Sequence, residues 1–467
     1  MSNPSEADAT PITSIGQLAD HIAAGCKPRG SFRIGTEHEK IGFRLRDLSP
    51  PPYDDESGDP GTVRRLLEGM LAEGGSPITD REALIGLKQE LLPGKTAAIS
   101  LEPGGQLELS GGLLDSLHET RVELDAHLAQ VLRVGGPLGL GYLPIGFHPL
   151  ASRDEIPWMP KSRYAIMRRY MPRVGSLGLD MMTRTCTVQV NLDYADEADM
   201  VRKLRTSLLL QPLATALLAN SPFTEGRPNG FLSYRAQIWT DTDPDRSGMP
   251  AVFFEPGFGF ERYASWLVSS VPMYFVTRGG LYIDVAGRSF EDFMAGRLDE
   301  TRGLVPTIGD FDDHMTTVFT DVRLKRYLEM RGADAAAPPM MLALAAFWVG
   351  LLYDDAALAA AEALLRGMGR AEALALRDAV PRAGLAAGFE LHGRRVTLRD
   401  LLPDVLAIAG DGLRTRRRLD ADGRDETSYL APLHAIASGD GTPAEHLLRD
   451  YNNSSNKDIS RFFAQIV

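Results

Sequence analysis

The spacing of apolar and polar residues divides the chain into a first part of mixed strands and helices and a last part that reads as helix after helix. Read as a strand, the run framed by Ile34, Ile41 and Phe43 places Glu37 and Glu39 on one face. Residues 98–112 read as a hairpin, with strands over 99–102 and 106–110 and Pro103-Gly104-Gly105 as its turn. Alternation is clearest from Thr187 to Tyr194: Thr187, Gln189, Asn191 and Asp193 share one face, and Val188, Val190, Leu192 and Tyr194 the other. Two short strands are predicted around Gly279-Gly280, and residues 322–330 end in a strand on which Tyr327, Glu329 and Arg331 share a face. Helical signals begin at Ser14-Ile15-Gly16-Gln17, a Ser-x-x-Gln start, and recur at Val63, Leu66, Leu67, Met70 and Leu71. Asp115 is placed to cap a helix reaching about Val134, and a long apolar helix runs from about Asp199 to Asn220 with a bend at Pro212. No fixed-period repeat or low-complexity linker interrupts the chain. The expectation is one catalytic unit over 1–467, with a sheet-bearing core over 1–335 and a mostly helical part over 336–467.

Several predicted strands carry polar rows on one face: Glu37/Glu39, Gln106/Glu108, Gln189/Asn191 and Glu329/Arg331, with Glu102 across the hairpin turn from Glu108. The opposite faces are mostly apolar, as a half-buried antiparallel sheet requires. A single Glu-x-Glu reads equally well as a solvated edge strand. These rows, however, are dominated by acids and amides, which are cation ligands, and two carboxylates that close resist ionising unless a cation lies between them. Hard oxygen donors suit magnesium, Mg²⁺. Arg163, Arg168, Arg169, Arg184, Arg235, Arg323, Arg326 and Arg331 lie beside these strands or in polar loops, and guanidinium forks bind carboxylate and phosphate. Together they suggest nucleotide-dependent chemistry on an acidic small molecule.

Composition narrows the alternatives. The chain has 467 residues and a net charge of −12, which argues against a nucleic-acid surface. Cys26 and Cys186 are the only cysteines, so there is no disulfide framework and no cysteine-rich zinc site. An acidic N-terminus and an apolar run over 340–353 too short to cross a bilayer lead to the expectation of a cytoplasmic protein with no membrane partner. Gly94-Lys95-Thr96 looks like the end of a phosphate-binding loop, but Gln89 stands where its first glycine should be. Pro144 likewise breaks a dinucleotide-type glycine pattern in residues 135–146. His38 falls on the face away from the acids and reads as packed or hydrogen-bonded, and Cys186 reads as a small core residue.

With these residues in view, the sequence resembles the glutamate–cysteine ligases of the plant and α-proteobacterial type. The resemblance is carried by FRIGTEHEKIGF from Phe32, SLEPGGQLELSGG from Ser100, LGLDMMTRTCTVQVNLDY from Leu177, SYRAQIWTDTD from Ser233, VRLKRYLEMRGAD from Val322, AFWVGLLYD from Ala346 and TPAEHLLRDYN from Thr442. It implies an α+β fold in which a central antiparallel sheet forms a funnel flanked by helices, like the glutamine synthetase catalytic fold. The implied activity is ATP-dependent joining of the γ-carboxylate of L-glutamate to the amine of L-cysteine through γ-glutamyl phosphate, the first step of glutathione synthesis. Carried over by motif position, Glu37, Glu39, Glu102, Glu108 and Glu329 are implied metal ligands for Mg²⁺, with manganese, Mn²⁺, as the alternative. Arg235 and Trp239 are implied in amino-acid binding, with Arg163 and Tyr274 beside them. Gln189 and Asn191 are expected to face metal or substrate, and Arg331 to steady the transferred phosphoryl group together with Glu329. Monomer and homodimer both remain open. Two further readings stay open at this point: a related ligase with another amine acceptor, and a silent nucleotide- or amino-acid-binding relative. Val285 and Leu342-Ala343 stand where plant members carry regulatory cysteines, which argues against disulfide control of that kind although Cys26 is retained.

Overall fold

The strand that carries Glu37 and Glu39 is neither an edge nor half-exposed. In the computed structural model, which describes residues 8–463, it runs from Ile34 to Arg44 (β1) and is buried along nearly its whole length. The other strands of its sheet are Ser76–Asp80 (β2), Ala83–Leu92 (β3), Lys95–Leu101 (β4), Leu107–Ser110 (β5), Leu140–Leu143 (β6), Thr187–Leu192 (β7), Val322–Leu324 (β8) and Leu328–Asp334 (β9). Their order is β8-β9-β7-β1-β5-β4-β3-β2, with β6 paired to the far end of β1, and every pairing is antiparallel. The strands carrying polar rows are therefore neighbours: β9, β7, β1 and β5 lie side by side at the centre of the nine-stranded sheet.

The predicted hairpin forms, but its first strand starts earlier, at Lys95, because the chain comes straight out of another turn. Gly94 has φ +70 there, a conformation that glycine adopts without strain, so Gly94-Lys95-Thr96 is the β3–β4 turn. The β2–β3 hairpin has no forecast in the sequence, because β3 reads Ala-Leu-Ile-Gly-Leu-Lys-Gln-Glu-Leu-Leu without regular alternation. Its interior Gly86 marks a close backbone approach: a Cβ there would lie 2.3 Å from the Ile99 carbonyl oxygen.

Helices cover the sheet. Leu117–Gly135 (α1) is capped by Ser116, whose hydroxyl accepts from the Glu119 amide, and not by Asp115. Asp115 instead pairs with Lys95 at 2.8 Å and Arg33 at 3.1 Å. Glu197–Leu217 (α2), capped by Asp196, contains Pro212. Pro338–Leu352 (α3) is buried almost all round, as its unbroken apolar run requires. Leu398–Arg416 (α4) packs against it. Among the described residues no single helix is long and apolar enough to cross a membrane.

One hydrophobic cluster joins Val188, Val190 and Leu192 of β7 to Leu208 and Leu213 of α2, Phe347 and Trp348 of α3 and Leu402 of α4. The reverse face of β7 is thus apolar, as predicted, but that of β1 is not. Its buried Thr36, His38 and Lys40 alternate with the acids, and Lys40 Nζ lies 3.0 Å from His38 Nδ1. Burial draws the Lys40 ammonium down to about 7, so the reverse face of β1 holds weakly charged groups rather than none.

Candidate active site

Register brings the acids together. Glu39 lies directly opposite Glu108, and Glu108 opposite Ser100, whose hydroxyl donates to the Glu108 carboxylate at 3.0 Å. Glu102 comes from beyond the end of β4, where the chain curls back on itself: the Glu102 amide donates to the Gln106 carbonyl and the Gly105 amide to the Glu102 carbonyl, both at 2.9 Å. Gln106 locks this turn from inside. Its Oε1 accepts from the Gly104 amide, and its Nε2 donates to the Thr185 carbonyl at the start of β7. As a result, one carboxylate oxygen each from Glu39, Glu102 and Glu108 lies within 4.8 Å of the others.

A buried cluster of this kind cannot stay fully ionised by itself. At an effective dielectric of about 20, each pair at that separation repels by roughly 3–4 kcal/mol, and three pairs approach the whole stability of a domain. Burial and then the Glu102 and Glu108 charges push the Glu39 carboxyl well above its usual range. Burial and the Glu108 charge raise Glu102 to about 8. A divalent cation would relieve both effects, and the donor set, all hard carboxylate oxygen, fits Mg²⁺ or Mn²⁺.

Glu37 lies beside the cluster, within hydrogen-bonding reach of Glu108, and accepts from Asn191 Nδ2 at 2.8 Å. Asn191 therefore orients an acid and does not itself face the cleft. Gln189, across from Glu37 in the register, does face it and accepts from Arg331 Nη1 at 2.5 Å. Glu329 departs from the expected ligand set. It sits one row away, opposite Arg323, which forks both its oxygens at 2.5 and 2.9 Å, while Arg331 approaches at 3.2 Å. With two guanidiniums on it, Glu329 is held well below the usual carboxylate range despite its burial, and it reaches the cleft through Arg331.

The cleft is lined by the carboxylates Glu37, Glu39, Glu102 and Glu108 together with the guanidiniums of Arg163, Arg235, Arg323 and Arg331. The remaining arginines named from the sequence have other partners. Arg168 lies over the Trp158 ring, Arg169 pairs with Asp284, Arg184 with Asp180, and Arg326 donates to the Ala24 carbonyl. Arg235 is buried on the helix Tyr234–Ile238, and its Nε and Nη1 have no acceptor among the described residues. Trp239, which follows that helix, lies 5.9 Å from the Arg235 guanidinium and also lines the cleft.

Tyr274 corrects the expectation of a substrate contact. It is buried behind the cleft wall, with its hydroxyl 3.4 Å from Asp243 and its ring under the Arg246 guanidinium at 4.0 Å. Phe275, one residue on and the first of the strand Phe275–Arg278, lines the cleft instead. Lys161 was not foreseen. It is buried near Glu102 and Glu108, and burial lowers its ammonium to about 8 even though both acids support its charge. Tyr164, whose hydroxyl donates to the Leu101 carbonyl, and Met181, Met182 and Phe319 complete the walls. Helical spacing alone gives these residues no signal separate from ordinary core.

Comparison with known proteins agrees with this geometry. The profile of glutamate–cysteine ligase family 2 matches residues 33–465. Glutamate–cysteine ligase B, chloroplastic, of Oryza sativa subsp. japonica is 48% identical over 458 residues, covering 98% of this chain and 88% of that protein. The chloroplastic glutamate–cysteine ligase of Arabidopsis thaliana is likewise 48% identical over 458 residues, covering 98% and 83%. Among solved structures, the glutamate–cysteine ligase of Francisella tularensis in complex with AMP superposes with a TM-score of 0.54 at 11% identity, covering 93% of this chain and 86% of that one, which establishes the shared fold. The names of the plant relatives overturn the cytoplasmic expectation, since those proteins are chloroplastic. A low cysteine count reports a reducing environment, not a particular compartment. By profile, by identity along nearly its whole length and by fold, the chain belongs to glutamate–cysteine ligase family 2.

Proposed function

We propose that the cleft under β1 carries out the family's reaction, with the roles of its residues assigned as follows. The enzyme joins L-glutamate to L-cysteine at the expense of ATP: the γ-carboxylate takes the terminal phosphoryl group, the cysteine nitrogen attacks the carbonyl carbon, and phosphate leaves as the nitrogen loses a proton. Glu39, Glu102 and Glu108 would hold a divalent cation, Mg²⁺ by its preference for hard oxygen, with Glu37 at its side. Such a cation, when bound, supplies neutralisation of phosphate charge. Arg331, steadied by Gln189 and Glu329, presents its guanidinium to the phosphoryl group being transferred. Arg235, whose Nε and Nη1 lack acceptors among the described residues, takes a carboxylate of the amino acid, and Trp239 and Arg163 bound the same space. We further infer that 1–335 and 336–467 act as one unit, a reading supported by the hydrophobic cluster that joins β7 to α3 and α4.

The observation that carries this reading is the meeting of three largely buried carboxylates with four arginines in one cleft. The test is ADP release by the purified protein supplied with ATP, Mg²⁺, glutamate and cysteine. Release that depends on both amino acids is expected. Release with glutamate and another amine, but not with cysteine, would replace cysteine as the acceptor, and no release with any amine would remove the reading.

A further inference from the structure

We propose that Asp334, at the end of β9 and away from the reacting atoms, is a positioning residue that aims Arg235 into the cleft through two serine relays. This inference rests on the reading of Arg235 as the carboxylate-binding residue. Asp334 is fully buried, and its described side-chain hydrogen bonds go to Asn220 and Ser221, just after α2, and to Ser233, the N-cap of the Arg235 helix. One oxygen accepts from the Asn220 amide at 2.9 Å and the Ser221 hydroxyl at 2.7 Å, and the other accepts from the Ser233 hydroxyl at 2.8 Å.

Each hydroxyl has a single proton, and here that proton is committed to Asp334. Its lone pairs are thereby turned toward backbone donors. Ser221 Oγ accepts from the Arg235 amide, and Ser233 Oγ, the N-cap of Tyr234–Ile238, accepts from the Ala236 amide, both at 3.1 Å. A five-residue helix is too short to hold its own first turn, so its orientation depends on these caps. The Arg235 Nη2 group donates to the Arg331 carbonyl at 3.0 Å, which fixes the far end of the side chain on β9, the strand that bears Asp334. Burial works against the Arg235 charge, and Asp334 is the first of the carboxylates that support it, ahead of Glu39. Gly146 leaves the room this arrangement needs, because a Cβ there would sit 2.4 Å from the Asp334 carboxyl carbon. No metal ligand takes part in the relay, so its disturbance is expected to reach amino-acid binding and not phosphoryl transfer.

The experiment is a double-mutant cycle of Asp334→Asn and Arg235→Lys, read as separate kcat and KM values for glutamate and for ATP. Asp334→Asn is expected to raise KM for glutamate about 10-fold while kcat and KM for ATP stay within about 2-fold. Placed on Arg235→Lys it is expected to add less than about 2-fold, since both changes act through one contact. Ser221→Ala, which keeps the buried charge and removes one relay, is expected to raise KM for glutamate about 3-fold, and it serves as the test if Asp334→Asn does not fold. An unchanged glutamate KM in the folded Asp334 or Ser221 variant, or the same factor with and without Arg235→Lys, would overturn the proposal. If Arg235→Lys by itself leaves the glutamate KM unchanged, the reading of Arg235 fails, and the proposal fails with it for that separate reason.

Discussion

Glu39 shows how far one residue's chemistry depends on its neighbours. Alone on a strand it would be an ordinary carboxylate; between Glu102 and Glu108, and buried, it resists ionising. Glu39→Gln replaces a carboxyl whose charge is disfavoured there by a neutral amide, so the metal-free protein is expected to unfold at the same temperature or a higher one. Turnover with Mg²⁺ is expected to fall at least about 100-fold, because a stabilising group is lost where charge develops. A fall in both melting temperature and activity would instead mark Glu39 as a structural residue. Tyr274 makes the opposite case. Its hydroxyl bonds Asp243 behind the wall, so Tyr274→Phe is expected to keep turnover within about 3-fold and to lose about 1 kcal/mol of stability. A large rise in the glutamate KM of that variant would restore the substrate contact the sequence suggested.

At the scale of elements, β8 and β9 are joined by more than their backbone ladder. Arg323 and Glu329 are register partners, both buried, with Arg331 on the same carboxylate. Removing one member of a buried pair leaves the other charge uncompensated, at a cost of about 3–5 kcal/mol. Glu329→Gln is therefore expected to lower the denaturant midpoint sharply even without metal, whereas a pure metal ligand would leave it unchanged. Legibility also differed by element. β7 was readable because one face meets core and the other the cleft, and the Pro103-Gly104-Gly105 turn by its turn residues, whereas the reverse face of β1 carries Thr36, His38 and Lys40. The β2–β3 hairpin was not readable, since both faces of β3 mix polar and apolar residues.

The whole molecule carries a pH dependence to which buried histidines such as His148 and His314 contribute. Burial, together with Arg184, holds His148 down to about 3, and burial, with Arg246 also acting against its charge, holds His314 down to about 4. A histidine depressed in the fold but ordinary when unfolded contributes stability that is complete above about 6.5 and is lost as pH falls toward its folded value. Between pH 6.5 and 5 each is expected to remove about 2 kcal/mol. Thermal unfolding at pH 7 and pH 5 measures this, and His314→Gln should shrink the loss between the two by about 2 kcal/mol. An unaltered difference in that variant would remove His314 as a source.

The sequence by itself determined the chemistry available: rows of acids and amides on alternating strands, arginines beside them, an apolar helical end, and motifs long enough to point to a ligase family. Local patterning determines these because the period of a strand or helix is a property of the backbone. Tertiary structure alone decided which groups meet. It set Glu39 across from Glu108, curled Glu102 in from a turn, gave Glu329 to Arg323, put Tyr274 behind the wall and Phe275 in it, and brought Lys161 beside the acids. Those outcomes depend on register and on contacts between residues distant in the chain, where a shift of one position turns a side chain from cleft to core.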